Sequence, residues 1–479
     1  MRKKSISCLL SAVIMLLLLL AGCTNDGNSS GLSTSGTADS RPTHQDTDPE
    51  LTPVDLDGYE FTIADEFSIM WDQPPGNSTH GDAVMDRVRK VEQDYNCTIK
   101  YVPVGPLDLA VQVRTKAMVS EKSYDLVGVN LWGMGGLLPE KFLEPINKLE
   151  SVNMDASYWT KEITAVGTFG GNTYFLSPTF MMAGYASSVM FFNKDMLEEL
   201  NLDNPWDYVE KGEWTWDKFA EIAAAAVKDL NSDNKIDTED RAGAAVLTDF
   251  AYSAYIASVG KTIEEDGNSA KIVMNNERSI SVYNKLSNIM NVQGIMSFKK
   301  ENTLQNQQSI RRQFSDDQQA LFLVESAGFG KGFGRDAGFD FGMLPLPSLE
   351  VGDKNYCPLD HNFRTLALPI KNPNIENAAI VFNALAANGK NEVEVQIAEY
   401  IDNNWIRDER SENFFKEMDK YLLVDRAGVF FHNSYPEFST GTRGVIGGVM
   451  EGAEFVSRYD ASIVAAETQL RDTWAKIVA

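Results

Sequence analysis

Two short segments early in the chain alternate between apolar and polar side chains, and a helical pattern lies between them. Residues 58–64 (GYEFTIA) and 98–104 have the alternation of strands, with aromatic and β-branched side chains. Apolar residues within 84–95 recur every three or four positions, which is typical of a helix. A second helix is predicted over 109–118 and a buried strand over 124–129 (YDLVGV). This β-α-β-α-β order predicts a mostly parallel sheet in an α/β domain.

A second set of strand and helix patterns follows. A helix is predicted over 215–230, because Thr215 is a good N-cap residue and the alanines at 223–226 favour helix. The strands predicted in this part lie within 176–193 and over 320–324, 341–347 and 363–370. After Pro373 the pattern is mainly helical and closes with 445–478. The chain shows no internal repeat of about 20–50 residues.

The first residues have the features of a secretory signal. A basic start at residues 2–4 precedes an apolar run that ends in five leucines. Leu20-Ala-Gly-Cys23 resembles the bacterial lipobox, in which the cysteine becomes the acylated first residue of the mature protein. We therefore expect residues 1–22 to be a removed signal peptide and Cys23 to carry acyl chains such as palmitate. An ordinary cleaved signal with an incidental cysteine is the alternative.

Residues 23–53 are predicted to be a flexible tether behind this lipidated cysteine. The stretch is rich in Ser, Thr, Gly and Asp and has no aromatic side chain. Such a composition buries too little apolar surface to offset its chain entropy. A tether of this kind lets a folded body sit clear of a membrane.

The charge of the chain narrows the class of partner. It has 479 residues, with 43 Lys and Arg against 68 Asp and Glu, and a formal net charge of −25. This acidity argues against nucleic acid, because neutralising phosphates requires a basic face. The apolar share of 43% suffices for a large core. Four cysteines are too few for a disulfide scaffold, and we expect Cys97 and Cys357 to be two buried thiols rather than a pair.

Residues 229–240 (DLNSDNKIDTED) have the ligand order of an EF-hand calcium loop. Oxygen donors fall at loop positions 1, 3, 5, 9 and 12, and position 7 offers a backbone carbonyl. Asn234 replaces the usual glycine at position 6 and tolerates the left-handed conformation needed there. The predicted ligands of a structural Ca²⁺ are Asp229, Asn231, Asp233, Lys235 through its carbonyl, Asp237 and Asp240. An acidic, solvated turn is the alternative.

Two tryptophans follow predicted strands of the first sheet. Trp71 comes after the first strand and Trp132 after the third. Ligands of parallel α/β sheets bind at the carboxyl ends of strands, where indole rings can stack on sugar faces. Packing in the core is the alternative for each, and it is favoured for Trp214, Trp216 and Trp474, which lie on or beside helices.

The chain lacks the common enzyme motifs. None of its four histidines has HExxH spacing, and GxxxxGK[ST] does not occur. GxSxG occurs once, at 27–31, inside the predicted tether and not between a strand and a helix, where a nucleophile serine requires it. Many acidic pairs leave a glycan-active hydrolase or lyase open. A binding protein for a non-sugar solute, such as a peptide or a metal complex, is a third possibility.

Four segments together resemble one known family. They are Tyr124–Val127 (YDLV), 184–194 (GYASSVMFFNK), 212–219 (GEWTWDKF) and 344–347 (LPLP). With the lipobox, they resemble the extracellular solute-binding lipoproteins of ABC importers, family 1, of the carbohydrate-binding type. The resemblance implies an α/β, two-lobed periplasmic-binding-protein-like fold of type II, with a cleft between lobes joined by hinge crossings.

The resemblance also implies boundaries for the two lobes. Lobe 1 is expected over 54–177 and 363–425, and lobe 2 over 178–362 and 426–479. The chain is expected to cross between them near Ser177-Pro178, Asn362-Phe363 and Arg426. The 229–240 loop is similar to the calcium loop of a branch that binds acidic oligosaccharides.

Ligand-binding positions and partners follow from the same resemblance. The expected ligand-binding residues are Trp71 and Asp72 after the first strand, with Trp132, Tyr185, Phe250, Tyr252, Glu325, Phe329, Asp360, Asn362 and Arg443. The ligand is expected to be a carbohydrate, with an oligosaccharide in the cleft favoured, and the chain a non-enzyme. The expected partners are the transmembrane subunits of an ABC permease. We expect a monomer, held by its lipid on the outer face of a Gram-positive-type cell membrane.

Overall fold

The computed structural model describes residue 48 and residues 50–479, apart from 77, 235, 237–238, 248–249, 298–303, 332–336, 398–405, 407 and 433. The predicted signal peptide, Cys23 and nearly all of the predicted tether lie outside the described residues.

The bounds of the elements follow in chain order, within the described residues. The strands are β1 (Tyr59–Asp65), β2 (Cys97–Pro103), β3 (Leu126–Asn130), β4 (Thr168–Phe169), β5 (Asn172–Thr173), β6 (Ser188–Asn193), β7 (Ala242–Val246), β8 (Ile263–Asp266), β9 (Ser269–Ile272), β10 (Met296–Ser297), β11 (Ala320–Ser326), β12 (Phe341–Leu344), β13 (Cys357–Pro358), β14 (Arg364–Ala367) and β15 (Leu422–Leu423). The α-helices are α1 (Thr79–Tyr95), α2 (Pro106–Met118), α3 (Leu131–Met134), α4 (Lys161–Val166), α5 (Lys194–Glu199), α6 (Pro205–Lys211), α7 (Trp216–Ala226), α8 (Phe250–Val259), α9 (Glu277–Met290), α10 (Leu304–Ser315), α11 (Ile375–Gly389), α12 (Glu409–Lys416), α13 (Pro436–Gly447) and α14 (Phe455–Val478).

Two sheets form the centres of two lobes. The first has the strand order β14-β3-β1-β2, in which β1 pairs in parallel with β2 and β3, and β14 is antiparallel to β3. The second has the order β10-β7-β11-β6-β12, in which β6 runs antiparallel to both of its neighbours. The mostly parallel first sheet predicted from the sequence is confirmed.

Local capping sets the bounds of the helices that flank these sheets. The hydroxyl of Ser78 accepts a hydrogen bond from the Gly81 N–H (2.9 Å) and begins α1. Asn96 ends α1 in the left-handed conformation (φ 46°). Thr215 caps α7 by accepting from the Lys218 N–H (3.3 Å), as its sequence predicts.

The chain passes from one sheet to the other in segments that isolated bridges delimit. Leu176 bridges Leu366 in the first lobe, and Ser187 bridges Leu359 in the second. The chain therefore changes lobe between 176 and 187 and again between 359 and 366. Ser177-Pro178 and Asn362-Phe363, the crossings implied by the resemblance, lie in these two intervals.

Residues 409–423 pack with the second lobe, although the expected boundary at 425 assigns them to lobe 1. The Ser411 hydroxyl accepts from the Met343 N–H of β12 (2.9 Å), and β15 pairs with β13. Phe414 of α12 contacts Trp206 of the second lobe, with ring centroids 5.4 Å apart. These residues pack with the second sheet because the apolar face of α12 covers its edge strand.

The last helix contacts both lobes. It packs along α13 and against β9 of the second lobe. Its Trp474 also meets Phe169 of the first lobe, with centroids 5.1 Å apart. Residues 426–479, expected in lobe 2, therefore bind to both lobes and tie them together on one side.

Several side chains predicted to be structural are confirmed in the core. Trp214, Trp216 and Trp474 are fully buried. Cys97 and Cys357 are buried, free thiols, and burial raises the pKa of the Cys97 thiol to about 11. Of the described helices, none combines the length and apolarity needed to cross a membrane.

Candidate functional site

The carboxyl ends of parallel strands define one edge of each sheet. In the first sheet β3 ends at Asn130, and in the second β11 ends at Ser326. The side-chain carbonyl oxygen of Asn130 and the hydroxyl of Ser326 are buried, and neither has a hydrogen-bond partner among the described residues. Because buried polar groups are normally paired, these two oxygens are candidates for binding polar groups of a ligand.

Residues 360–364 join the two edges. The Asp360 N–H donates to the carbonyl of Ala186 (3.2 Å), next to the second sheet. The carbonyl of His361 accepts from the Trp132 N–H (3.4 Å), which directly follows β3. The two edges thus lie on either side of this segment, where a two-lobed fold places its interlobe cleft.

Trp132 is held in a fixed orientation on the first-lobe wall. Its indole Nε1 donates to Oδ1 of Asn362 (3.0 Å), whose amide in turn donates to Asp360 (2.9 Å). The ring of His432 stacks against the indole, with centroids 5.9 Å apart and planes 29° from parallel. The indole is only partly buried. It therefore presents a partly exposed apolar surface in an orientation that two contacts hold.

His432 supports this indole as a neutral ring. Its Nδ1 accepts from the Ser434 N–H (3.1 Å), which places the ring proton on Nε2. Burial lowers the pKa of His432, and the nearby Arg114 lowers it further. At neutral pH the group behind Trp132 is thus an uncharged aromatic ring.

Tyr252 belongs to a second cluster beside the same segment. Its hydroxyl donates to Asp425 (2.9 Å), which also accepts from the Thr262 hydroxyl (2.7 Å). Burial raises the pKa of Asp425 and that of Tyr252. The Tyr252 ring meets Phe431 edge-on (5.3 Å between centroids), and the guanidinium of Arg443 lies 5.2 Å over Phe431.

An arginine clamps the end of β1 on the first wall. Arg364 Nε donates to Oδ1 of Asp65 (2.7 Å), and its Nη2 pairs with Glu66. The same guanidinium lies 4.1 Å over the ring of Phe67. Arg364 is opposite Asn130 in the β14–β3 register, so this group adjoins the Trp132 surface.

A similar group lies at the end of β11 on the second wall. Arg311 Nε donates to Oε2 of Glu325 (2.7 Å), and its guanidinium lies 4.9 Å over the ring of Phe329. Tyr185 covers the turn between them: a Cβ at Gly328 would lie 2.2 Å from its ring, so only glycine fits there. Tyr185 thereby contacts the turn that carries Phe329, although the two residues are far apart in the sequence.

The acidic loop after α7 forms a separate cluster. Carboxylate oxygens of Asp229, Asp233 and Asp240 all lie within 4.8 Å of one another. The Asp229 carboxylate also accepts from the backbone N–H of Asn234 (2.9 Å), which has a φ of 63° as its loop position requires. Ile236 packs on Gly294, where a Cβ would lie 2.9 Å from the isoleucine side chain. Of the predicted ligands, Lys235 and Asp237 lie outside the described residues.

This donor set has the chemistry of a hard-cation site. A set of three carboxylates prefers Ca²⁺ or Mg²⁺ over softer metals. Their separation leaves room for one ion, and Asn231 lies in the same turn, where its side chain accepts from the Asp233 N–H (2.9 Å).

Comparison with known proteins identifies the family. The family model described as bacterial extracellular solute-binding protein matches residues 77–392. The chain belongs to this family. No curated protein shows significant sequence similarity to this solute-binding protein. The family is one of binding proteins rather than enzymes.

Solved structures share the fold of this solute-binding protein at low sequence identity. A cyclic α-maltosyl-1,6-maltose binding protein from Arthrobacter globiformis is 14% identical, with a TM-score of 0.61 over 87% of this chain and 100% of its own. An ABC substrate-binding protein from Listeria monocytogenes in complex with cycloalternan is 15% identical, with a TM-score of 0.55 over 86% and 99%. UgpB from Mycobacterium tuberculosis in complex with glycerophosphocholine is 16% identical, with a TM-score of 0.55 over 86% and 98%. The predicted α/β, two-lobed periplasmic-binding-protein fold is confirmed.

Most of the expected ligand-binding residues of this solute-binding protein lie around the cleft. Eight of them lie near the two sheet edges and the 360–364 segment: Trp132, Tyr185, Tyr252, Glu325, Phe329, Asp360, Asn362 and Arg443. They come from six separate regions of the sequence, which the two sheets and the crossings bring together.

Three expected residues have a different environment. Trp71 is only 2% exposed: its Nε1 donates to Asp65 (3.0 Å), and Phe180 packs on its ring. Phe250 is 3% exposed and packs against Trp216. Both rings are core residues here, because Trp71 is held by Asp65 and Phe180, and Phe250 begins α8 with its ring against Trp216. Asp72 is exposed beside Trp71.

Several residues of the cleft were not predicted from the sequence. His361, Phe431 and His432 lie on the crossings, and Arg311 and Arg364 complete the two arginine clusters. No local motif marks them, because the contact that places each of them beside the cleft comes from a residue more than ten positions away. The one available signal was the position of Arg364 and His361 directly beside a predicted crossing.

Proposed function

We propose that this chain binds a carbohydrate, an oligosaccharide, in the interlobe cleft and delivers it to the transmembrane subunits of an ABC permease. The Trp132 surface carries the proposal, since a fixed, partly exposed indole at a strand end suits the apolar face of a sugar ring. The family supports solute binding. The similar Arthrobacter protein binds a maltosyl saccharide, which favours a sugar here as well.

Polar groups around Trp132 would bind the hydroxyls of the sugar. The unpartnered oxygens of Asn130 and Ser326 lie on opposite walls, so one ligand contacting both would hold the lobes together. Hydroxyls donate and accept, and they would meet both the carboxylates and the guanidinium groups of the walls. Closure around the crossings would then exclude water from these hydrogen bonds, and the closed form is the one that a permease would recognise.

Isothermal titration against a panel of oligosaccharides tests binding. We expect saturable binding of at least one glycan and a ligand-dependent decrease in radius of gyration in solution scattering. Trp132→Ala should weaken that binding, whereas Tyr208→Ala, which removes an aromatic ring hydrogen-bonded to Asp203 away from the cleft, should not. No binding across a broad panel would contradict the proposal.

We propose further that the chain does not convert its ligand. A glycan recovered after prolonged incubation should be unchanged in length and linkage by mass spectrometry. Shortened or unsaturated products, abolished by substitutions in the cleft, would instead support a glycan-active enzyme. Delivery is tested by adding ligand-loaded protein to its reconstituted permease, where ATP hydrolysis should increase above the rate with unloaded protein.

We also propose that the 229–240 loop binds a structural Ca²⁺. The cluster of Asp229, Asp233 and Asp240 supports this assignment, as does the conformation of Asn234. Added Ca²⁺ should raise the thermal midpoint of chelator-treated protein. Asp233→Asn should abolish that increase, and Asp316→Asn, at an exposed aspartate paired with Arg312, should leave it intact. An unchanged midpoint of the wild type on adding Ca²⁺ would contradict the assignment.

The N-terminal segment is proposed to anchor a monomer to the outer face of the cell membrane. Cys23 would carry the acyl chains after removal of residues 1–22. Mass spectrometry of the membrane-extracted protein should find a diacylglyceryl group at Cys23, and Cys23→Ala should release the protein into the medium. Light scattering of the soluble form should give the mass of one chain.

A further inference from the structure

Two groups of the same construction face the cleft from opposite lobes. In each, a carboxylate stands at the end of a parallel strand, a phenylalanine follows it, and an arginine from a distant segment pairs with the carboxylate and lies on the ring. We call the group of Asp65, Glu66, Phe67 and Arg364 the first clamp, and that of Arg311, Glu325 and Phe329 the second clamp.

From these clamps we propose that the cleft selects uncharged oligosaccharides and discriminates against uronates and other anionic sugars. This inference rests on the proposed carbohydrate function and defines its ligand class. It concerns the charge of the ligand rather than its ring stereochemistry.

The charge of the walls favours this assignment. The first clamp has two carboxylates to one guanidinium, and the second has one to one. At the crossing, Asp360 and Asp425 lie with Arg443 around Tyr252. Arg311 and Arg364 are each paired with a carboxylate, and two carboxylates lie near Arg443 around Tyr252. Among the described residues of these three groups, an anionic ligand would therefore meet no excess of positive charge.

The clamps are too rigid to release an arginine for an anionic ligand. Asp65 and Glu325 are buried, and each carboxylate has a second donor, from Trp71 Nε1 (3.0 Å) and the Ser326 N–H (2.8 Å) respectively. A ligand carboxylate would have to compete with Glu325 for the guanidinium of Arg311. Within hydrogen-bond range of Arg311 it would also lie close to the Glu325 carboxylate, and the two negative charges would repel each other. A hydroxyl faces no such conflict, since it accepts from the guanidinium and donates to the carboxylate.

Matched glycans with and without a carboxylate at C6 test the inference. Manno-oligosaccharides are compared with mannuronate oligomers, and α-1,4-galacto-oligosaccharides with oligogalacturonates of the same length. We expect wild-type protein to bind the neutral member of a pair at least about ten-fold more tightly. Equal or tighter binding of a uronate would overturn the inference and leave carbohydrate binding intact. Absence of binding to every glycan would overturn the proposed function, and the inference with it.

A charge-removing variant provides the internal test. Glu325→Gln keeps the shape of the side chain but leaves Arg311 uncompensated, so the ratio of uronate to neutral affinity should rise at least about ten-fold. Glu264→Gln is the matched control, because Glu264 also pairs with basic side chains, Lys261 and Lys271, but in the exposed β8–β9 hairpin. Equal ratios in the two variants would overturn the inference.

Salt dependence gives a second measurement that needs no variant. Affinity of the wild type for its neutral glycan should change less than about two-fold between roughly 0.05 and 0.5 M NaCl, since no net charge is neutralised on binding. A steep loss of affinity with salt would indicate an electrostatically bound ligand and would overturn the inference, even if Glu325→Gln failed to fold.

Discussion

Gly135 is the point at which the segment after β3 touches the crossing formed by residues 426–431. A Cβ at this position would lie 2.0 Å from the carbonyl oxygen of Val429 and 3.2 Å from the ring of Tyr435. The backbone of Gly135 is ordinarily helical (φ −56°, ψ −25°), so alanine itself introduces no backbone strain. Real Cβ atoms essentially never approach an atom closer than 3.0 Å. In Gly135→Ala the crossing and the first lobe must therefore separate by at least about 1 Å.

Gly135→Ala should lower the free energy of unfolding, because the added methyl group overpacks against a main-chain carbonyl that has no alternative rotamer. Such substitutions cost about 1–3 kcal/mol, and the upper value applies because the opposing atom belongs to the main chain. With an unfolding entropy of about 2 cal/mol/K per residue, a folded body of this size loses about 3 °C of thermal midpoint if it unfolds in one transition. His432 lies three residues beyond Val429, so its stack on Trp132 is disturbed. Affinity for the glycan should consequently fall about ten-fold or more.

Calorimetry and titration of two glycine variants separate this contact from a general effect of alanine. Gly447 ends α13, and a Cβ added there would meet no atom within 4 Å, so Gly447→Ala should leave the midpoint and the affinity unchanged or slightly raise the midpoint. If Gly135→Ala behaves like Gly447→Ala in both measurements, the close approach of the two segments is refuted.

Three further predictions concern single side chains. Trp132→Ala should weaken glycan binding about 10- to 100-fold and Trp132→Phe much less, measured by titration calorimetry. Burial, reinforced by Arg87, lowers the pKa of His80 from 6.5 to about 4, so between these pH values the unfolded chain binds a proton that folded His80 does not. The wild type should therefore lose stability relative to His80→Gln as the pH falls from about 6.5 to 4. Urea midpoints of the two proteins that stay parallel across this range would contradict the prediction. Arg426→Gln should lower the thermal midpoint by about 2–4 °C, because Arg426 pairs with Glu265 and donates to the Thr168 carbonyl (2.8 Å each). The control Arg410→Gln, which removes an exposed ion pair, should change the midpoint by less than about 1 °C.

Elements with strong local patterns were predictable from the sequence. The strand at 58–64, the helix capped by Thr215 and the apolar strand at 320–324 all form within a few residues of their predicted bounds. Their periodicity and caps depend only on neighbours in sequence, and such signals survive folding. Trp214 and Trp216 were assigned to the core for a similar reason, since Trp216 begins a helix with buried apolar residues and Trp214 lies just before its N-cap.

The environment of a loop side chain was much less predictable. Trp71 and Trp132 both follow parallel strands of the first sheet, six residues after the end of β1 and two after the end of β3. Trp71 turns inward because Arg87, on the buried face of α1, lies over its ring (5.3 Å) and Asp65 accepts its N–H. Trp132 remains partly exposed because its partners, Asn362 and His432, come from crossings that no local pattern places beside it. The difference is tertiary, so composition and spacing alone do not distinguish the two.

The crossing after β15 connects the proposed ligand site to the contact between the lobes. Asp425 binds Tyr252 and Thr262 of the second lobe, and Arg426 binds the Thr168 carbonyl of the first. Six residues after Arg426, His432 backs the indole of Trp132. If the proposed sugar stacks on Trp132, it therefore contacts a residue held by the same short segment that joins the two lobes. Substitutions in this segment should alter ligand affinity and lobe closure together, whereas substitutions in the second clamp should alter affinity alone.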